Sequence, residues 1–268
     1  MALKDITLGQ YYPGNSFVHK LDPRVKIVLL IAVIVAIFLA GNLVAFVPVT
    51  LFLLLCTWLS QVPVKMMLKG LKPLRLILIL TFALNLFFLQ GETVLVDLGF
   101  AQIKTESLIT AVHYSLRLVL LVLYSSLLTL TTPPITLTDG LERLLSPLRV
   151  IHFPAHEMAM MMSIALRFIP TLLEEADKIM KAQTARGADF ESGNLIARAK
   201  AMVPLLVPLF VSAFRRAGDL AMAMEARCYH GGEGRTRLRV LKCEKRDWIA
   251  CAAVAALIVC VVLCGKLY

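Results

Sequence analysis

Two arginines close two long, apolar-rich stretches of this chain. Arg186 ends KIMKAQTARG, and Arg227 sits in DLAMAMEARCYHGG. Arg186 lies between Ala185 and Gly187, and Arg227 between Ala226 and Cys228. A guanidinium at a helix tip is always charged and presents five donors in a rigid fork. Such a fork fits an acidic or carbonyl-lined groove, and a lysine fits it poorly. Two similar tips in one protein suggest two similar sockets on a partner. That pattern belongs to a coupler and not to a catalyst.

The tips also share a register. Aligned on the arginines without gaps, EADKIMKAQTARG (175–187) faces RAGDLAMAMEARC (216–228). Ala176 matches Ala217, Ala182 matches Ala223, Ala185 matches Ala226, and Ile179 matches Leu220. Small residues at helical spacing permit close packing. An ordinary account competes with docking: arginine in a last turn complements the helix dipole, and glycine just beyond is a common helix stop. It explains one end, with Gly187 as the stop, better than it explains two ends in register.

The elements that carry these tips follow from composition. The chain of 268 residues is 59% hydrophobic and only 17% charged, with a mean hydropathy of +0.78. A soluble domain normally carries more charge. Apolar runs of membrane-spanning length make the expected fold class an all-α polytopic membrane protein. It would have about five transmembrane helices and long cytoplasmic amphipathic helices. The net charge of +10 then reflects positive-inside bias and contact with anionic headgroups. No aromatic-interleaved basic patch argues for nucleic acid. Some two dozen mostly polar residues precede the first apolar run, so an uncleaved first span is expected and not a signal peptide.

Residues 27–60 are apolar almost throughout. As one helix they would reach about 51 Å, against a hydrocarbon core of about 30 Å. The turn-prone pair Gly41-Asn42 divides them into two spans, the first one short. The basic segment with Lys65, Lys69, Lys72 and Arg75 belongs in the cytoplasm. A third span covers roughly 74–90, and GETVLVDLGFAQIK alternates around Asp97-Leu98-Gly99 as a short extracellular hairpin. A fourth span covers roughly 107–130 and stops at Pro133-Pro134. Residues 135–246, charged with a basic surplus, are placed in the cytoplasm as a short amphipathic helix (TLTDGLERLLSPLRVI) and two long helices. The last span is 248–264, ending outside near Lys266. The domains are therefore 1–131 with four spans, 132–246 as the cytoplasmic helical region, and 247–268 as the C-terminal span. The segment 201–214 is apolar but short, holds two prolines, and is flanked by Arg198, Lys200, Arg215 and Arg216. It reads as a helix at the membrane interface or packed under the spans.

Other residues carry weaker signals. Met158, Met160, Met161 and Met162, with Met180, Met202, Met222 and Met224, form a dense set. Methionine suits surfaces that accept several partners, and equally suits ordinary core filling. Arg117 lies four residues after His113 on one face of the fourth span, where a structural role through snorkelling is expected. Asn85 reads as an interhelical hydrogen bond. None of the cysteines, Cys56, Cys228, Cys243, Cys251, Cys260 and Cys264, forms a CxxC pair, so no metal site or disulfide is expected. No GxxxxGK[ST] loop, HExxH or GxSxG pattern occurs, so ATP hydrolysis would be supplied by partners.

With these residues in place the chain resembles the transmembrane (T) components of energy-coupling factor transporters, a family that includes the CbiQ-type cobalt transport proteins. Ala-Arg-Gly and Glu-Ala-Arg-Cys are similar to its paired X-Arg-X signature, ALRFIP precedes the first, and ITLGQYYPGNSFVHKLDPRVKI resembles the N-termini of shared, vitamin-type T components. Cys228 stands where glycine is frequent, a departure that its small size makes mild.

The resemblance implies a non-catalytic subunit of an ATP-driven importer in a prokaryotic plasma membrane. Its long helices would be coupling helices. Ala185, Arg186, Gly187, Ala226, Arg227 and Cys228 would dock two ABC ATPase subunits, which alone hold ATP and magnesium. Met158, Met160, Met161, Met162, Met202, Met222 and Met224 would contact interchangeable membrane-embedded S components that bind the vitamin. ATP-driven closure would topple the S component to release its cargo. The alternatives are a dedicated cobalt or nickel importer, a membrane enzyme around Arg167, Arg186, Asp189, Glu191 and Arg227, and a stand-alone secondary transporter.

Overall fold

The computed structural model describes residues 11–88, 94–97, 102–151, 153–190, 194–231 and 241–267. Residues 6–10 of the opening segment, the turn at Leu98-Gly99, and Glu191 lie outside the described residues, as do the side chains of Asp97, Arg198 and Lys266. The chain divides into two compact units, 11–141 with 241–267, and 142–231.

The first unit is built on helices whose breaks follow the sequence. Asp22 caps α1 (Pro23–Leu39), accepting from the Arg24 backbone at 2.9 Å, and a proline takes the first helical position. At Ala40 the backbone turns extended, and a 3₁₀ turn (Leu43–Ala45) leads into α2 (Phe46–Ser60), so the break falls at Gly41-Asn42 as expected. Gln61, with φ 56°, ends α2. After it come α3 (Val64–Lys69), a second 3₁₀ turn, and α4 (Arg75–Phe88). The hairpin pairs β1 (Val94–Asp97) antiparallel with β2 (Gln102–Lys104). Next follow α5 (Thr105–Thr131) and α6 (Pro134–Leu145). Pro134 opens α6, so the proline pair both stops one helix and starts another. The expected single amphipathic helix after it is α6 followed by a 3₁₀ segment, Ser146–Ile151. The last helix, α9, is Lys245–Leu267.

The core of this unit lies among α1, α2, α5 and α9, where Ile37, Phe46, Val49, Leu120, Leu130 and Val261 are fully buried. Its outer faces are apolar and exposed, with Val35, Phe38, Leu51, Ile79 and Val259 among them. Apolar outside as well as inside is what lipid requires. Several polar groups within it find carbonyl partners: Thr57 Oγ1 donates to the Leu53 carbonyl at 2.7 Å, and Tyr124 Oη to that of Val49 at 2.8 Å. Asn85 departs from expectation. Its Nδ2 donates to the Thr81 carbonyl of its own helix at 2.8 Å, one turn back, and so satisfies itself without a neighbour. Arg117 donates to the Ala40 carbonyl at 3.1 Å, contacts His113 at 2.9 Å, and lies over the Phe38 ring. It therefore supplies a donor to a carbonyl at the end of α1 that the helix leaves open.

The second unit pairs two helices of 31 residues, α7 (Ala155–Ala185) and α8 (Leu195–Glu225). The segment 201–214 is the middle of α8, one continuous helix despite Pro204 and Pro208. Among the described residues, five helical stretches are long and apolar enough to cross a membrane: Leu43–Ser60, Val64–Phe87, Thr105–Thr131, Ala199–Glu225 and Lys245–Gly265. Their membership differs from the five spans expected. α1, with 17 residues or about 26 Å, stands at the lower limit of spanning length and is absent from this set, whereas α8 is in it.

Candidate functional site

Both arginine ends are built by the same backbone device. At the first, Gly187 takes φ +90°, its N–H bonds the Thr184 carbonyl at 2.9 Å, and the Ala188 N–H bonds that of Gln183 at 3.0 Å. At the second, Cys228 takes φ +55°, its N–H bonds the Glu225 carbonyl at 2.8 Å, and the Tyr229 N–H bonds that of Met224 at 3.0 Å. These are the two bonds of a Schellman stop, with the left-handed residue directly after each arginine. The ordinary helix-stop account thus describes both ends. It also fixes where the arginines point from: each sits on the last carbonyls, where a cation is favoured. Arg186 and Arg227 are exposed, and no described residue engages either guanidinium. At Cys228 the departure from glycine is felt in the backbone, which is left-handed there. A left-handed residue with a Cβ is strained where glycine is free.

The repeat extends to the contact between the helices. Glu175 accepts from the Ser212 hydroxyl at 2.5 Å and from Arg216 Nη2 at 3.0 Å. Glu175 and Arg216 are the facing positions of the sequence alignment, so equivalent residues of the two repeats touch each other. Each tip then lies eleven residues beyond the contact (175 to 186, and 216 to 227), about 16 Å along its helix. Beside the ion pair, Ile169, Leu172 and Ala176 face Leu206, Phe210 and Ala213 across an apolar cavity. The Ser212 hydroxyl, and after it Arg216, holds the Glu175 carboxyl below the usual carboxylate range. Nothing in periodicity singled this pair out, although the gapless alignment had already set the two positions opposite each other.

The methionines fall mostly outside the interior. Met158, Met161, Met162, Met202 and Met222 are exposed, and Met160 and Met224 half-buried. Core filling does not describe them within this chain. Val203, Val207, Phe210, Val211 and Phe214 are exposed on α8 as well, which gives that helix an uncovered apolar stripe. Of the residues of the enzyme reading, Arg167 and Arg186 stand far apart. Arg167 lies nineteen residues before Arg186 on α7, about 28 Å away along the axis. His156 Nδ1 pairs with Glu142 at 2.8 Å. No group of metal-ligating side chains forms among the described residues.

One polar cluster in the first unit escaped the sequence reading. Lys26, only 7% exposed, donates to the His19 and Thr131 carbonyls and to Thr132 Oγ1 at 3.0–3.3 Å. Asp247 accepts from the Asp22 and Glu244 backbone at 2.9 and 2.8 Å. Burial alone would raise the Asp22 carboxyl, but the bonds from Arg24 outweigh it and hold it low. The cluster ties the starts of α1 and α9 to the end of α5. Charged residues at the mouth of an apolar run were its signal.

Comparison with known proteins places these features in context. The family model described as "Cobalt transport protein" (CbiQ) matches residues 14–238. Three relatives carry the name energy-coupling factor transporter transmembrane protein EcfT. That of Clostridium kluyveri is 52% identical, covering 99% of this chain and 98% of the relative. That of Thermosediminibacter oceani is 53% identical over 96% and 97%. That of Lactococcus lactis is 44% identical over 98% and 99%.

Proposed function

Because the chain belongs to the CbiQ family of cobalt transport proteins and, within it, to the energy-coupling factor transporter transmembrane proteins, we propose that it transmits ATP-driven motion to a substrate-binding partner in the plasma membrane. The observation that carries this reading is the pair of matching Schellman ends, each presenting an exposed arginine with no partner among the described residues. Arg186 and Arg227 dock in grooves of two ABC ATPase subunits, which supply ATP and magnesium. Ala185 and Ala226 leave room beside each fork, and Gly187 and Cys228 turn the chain away from it. The uncovered methionines and apolar stripe of α8 receive interchangeable S components, which choose the vitamin. Although α8 has the length and composition of a span, we read it as lying along the cytoplasmic interface, because its uncharged run between Lys200 and Arg215 is only fourteen residues, about 21 Å, against a core of about 30 Å.

The test is co-purification and uptake with Arg186→Ala, Arg227→Ala and the double variant. Each single change is expected to lower uptake in part, and the double change to abolish assembly with the ATPases or coupling. Full assembly and uptake in the double variant would refute the docking role. The family description favours a second reading, a dedicated metal importer. Capture of several different S components with one chain separates the shared module from the dedicated one.

A further inference from the structure

A second feature lies in the first unit, away from the arginine tips. A cavity of about 300 Å³ opens among four helices, lined by Leu30 and Val33 of α1, Phe52 and Cys56 of α2, Leu127 of α5 and Ala253 of α9. Apart from Lys26 and Thr131 at one end, its walls are almost wholly apolar. Lys26 uses its donors on the three acceptors named above, so it is not waiting for a ligand. Along α1 the cavity runs from Lys26 to Val33, about 10 Å. Leu55 and Ile249 line it and remain exposed at 49% and 61%, so it is open to the outside.

The open end is basic. Lys20 is exposed and adjoins Leu21, which lines the cavity. Lys245 and Arg246 are exposed one turn before Ile249 and Ala250, on the same helix faces as those lining residues. Lys20 and Lys245 have no ion-pair partner among the described residues. Among the neighbouring acids, Asp22 is held by Arg24, Asp247 is buried on backbone donors, and only Glu244 reaches Arg246, at 3.6 Å. Water is a poor occupant, since it needs two to four polar partners. A helix of about 10–12 Å diameter is too wide. An apolar slot in a membrane protein, with exposed cations at its polar end, matches a phospholipid: one acyl segment inside and an anionic headgroup on the lysines.

We propose that this cavity is a specific site for an anionic phospholipid, holding an acyl chain between α1, α2, α5 and α9 with its phosphate at Lys20, Lys245 and Arg246. The proposal is independent of the docking role of Arg186 and Arg227. The full chain would be reconstituted in phosphatidylcholine vesicles carrying a trace of phospholipid with a diazirine in its acyl chain, with either a glycerol or a choline headgroup. Peptides holding Cys56 and Ala253 should be labelled roughly fivefold more by the glycerol probe, since each basic residue near the surface contributes on the order of 1 kcal/mol. Lys20→Gln with Lys245→Gln should remove that preference. Ala253→Phe should abolish labelling of the cavity and leave that of the exposed α4 face, Leu76 to Leu80, unchanged. Labelling of the cavity no stronger than that of α4, or indifferent to headgroup in the unaltered chain, would overturn the proposal even if a variant failed to fold. Loss of labelling when partner subunits bind would show a protein occupant and overturn it too.

Discussion

Cys228 shows how one dihedral angle governs an end of a helix. With φ at +55°, it holds a conformation that costs an L-residue about 1–2 kcal/mol and glycine little. Cys228→Gly should therefore keep uptake and raise thermal stability slightly. Cys228→Val, whose branched Cβ suits that region least, should destabilise by about 1 kcal/mol relative to the glycine variant and weaken ATPase capture. Equal behaviour of the two variants in thermal unfolding and pull-down would show that the end is not held by its left-handed residue. Arg117 makes a related point inside the membrane: the charge is tolerated because it meets a carbonyl, an imidazole and a ring.

At the scale of the element, α7 and α8 are joined by a polar contact beside their apolar seam, and in the proposed function they act as two levers. Glu175 and Arg216, at equivalent positions of the repeat and equally far from the two tips, join them, with Ser212 adding a second bond to Glu175. Partly exposed ion pairs add little to stability, so the role of this one is alignment. Glu175→Arg should lower uptake by roughly fivefold or more, the low end of a coupling contact, with little change in folding. Arg216→Glu in the same chain should restore part of it. Failure of the swap to restore uptake, with both proteins intact in the membrane, counts against alignment. The pH dependence follows from the lowered Glu175 carboxyl. Its ionised form favours the contact, so the contribution is fully present above the ordinary carboxylate value of about 4.3. It is lost only as pH falls through the lower folded value. Coupling measured between pH 5 and 8 should show no loss that Glu175→Gln removes.

At the scale of the molecule, the proposed function has the exposed methionines receive several different partners. Replacing Met158, Met161, Met162, Met202 and Met222 together by leucine preserves apolar volume but removes flexibility. Uptake through different S components should then diverge, some losing more than others, while the chain still reaches the membrane. Equal uptake of every vitamin by that variant would sink the idea of an adaptable surface. Taken by itself, the sequence determined the all-α membrane class, the break at Gly41-Asn42, the hairpin strands and the in-register arginine ends, because hydropathy, turn chemistry and helix stops are local properties. It did not reveal that α8 runs unbroken through two prolines, since a proline's lost hydrogen bond can be made good by neighbours. Nor did it reveal that Asn85 serves its own helix. Only the tertiary structure decided that Glu175 meets Arg216, that Lys26 is buried on three oxygens, and that an apolar slot remains between four helices. Each of these depends on residues far apart in the chain arriving at one point, and periodicity along a single helix carries no record of what will stand across from it.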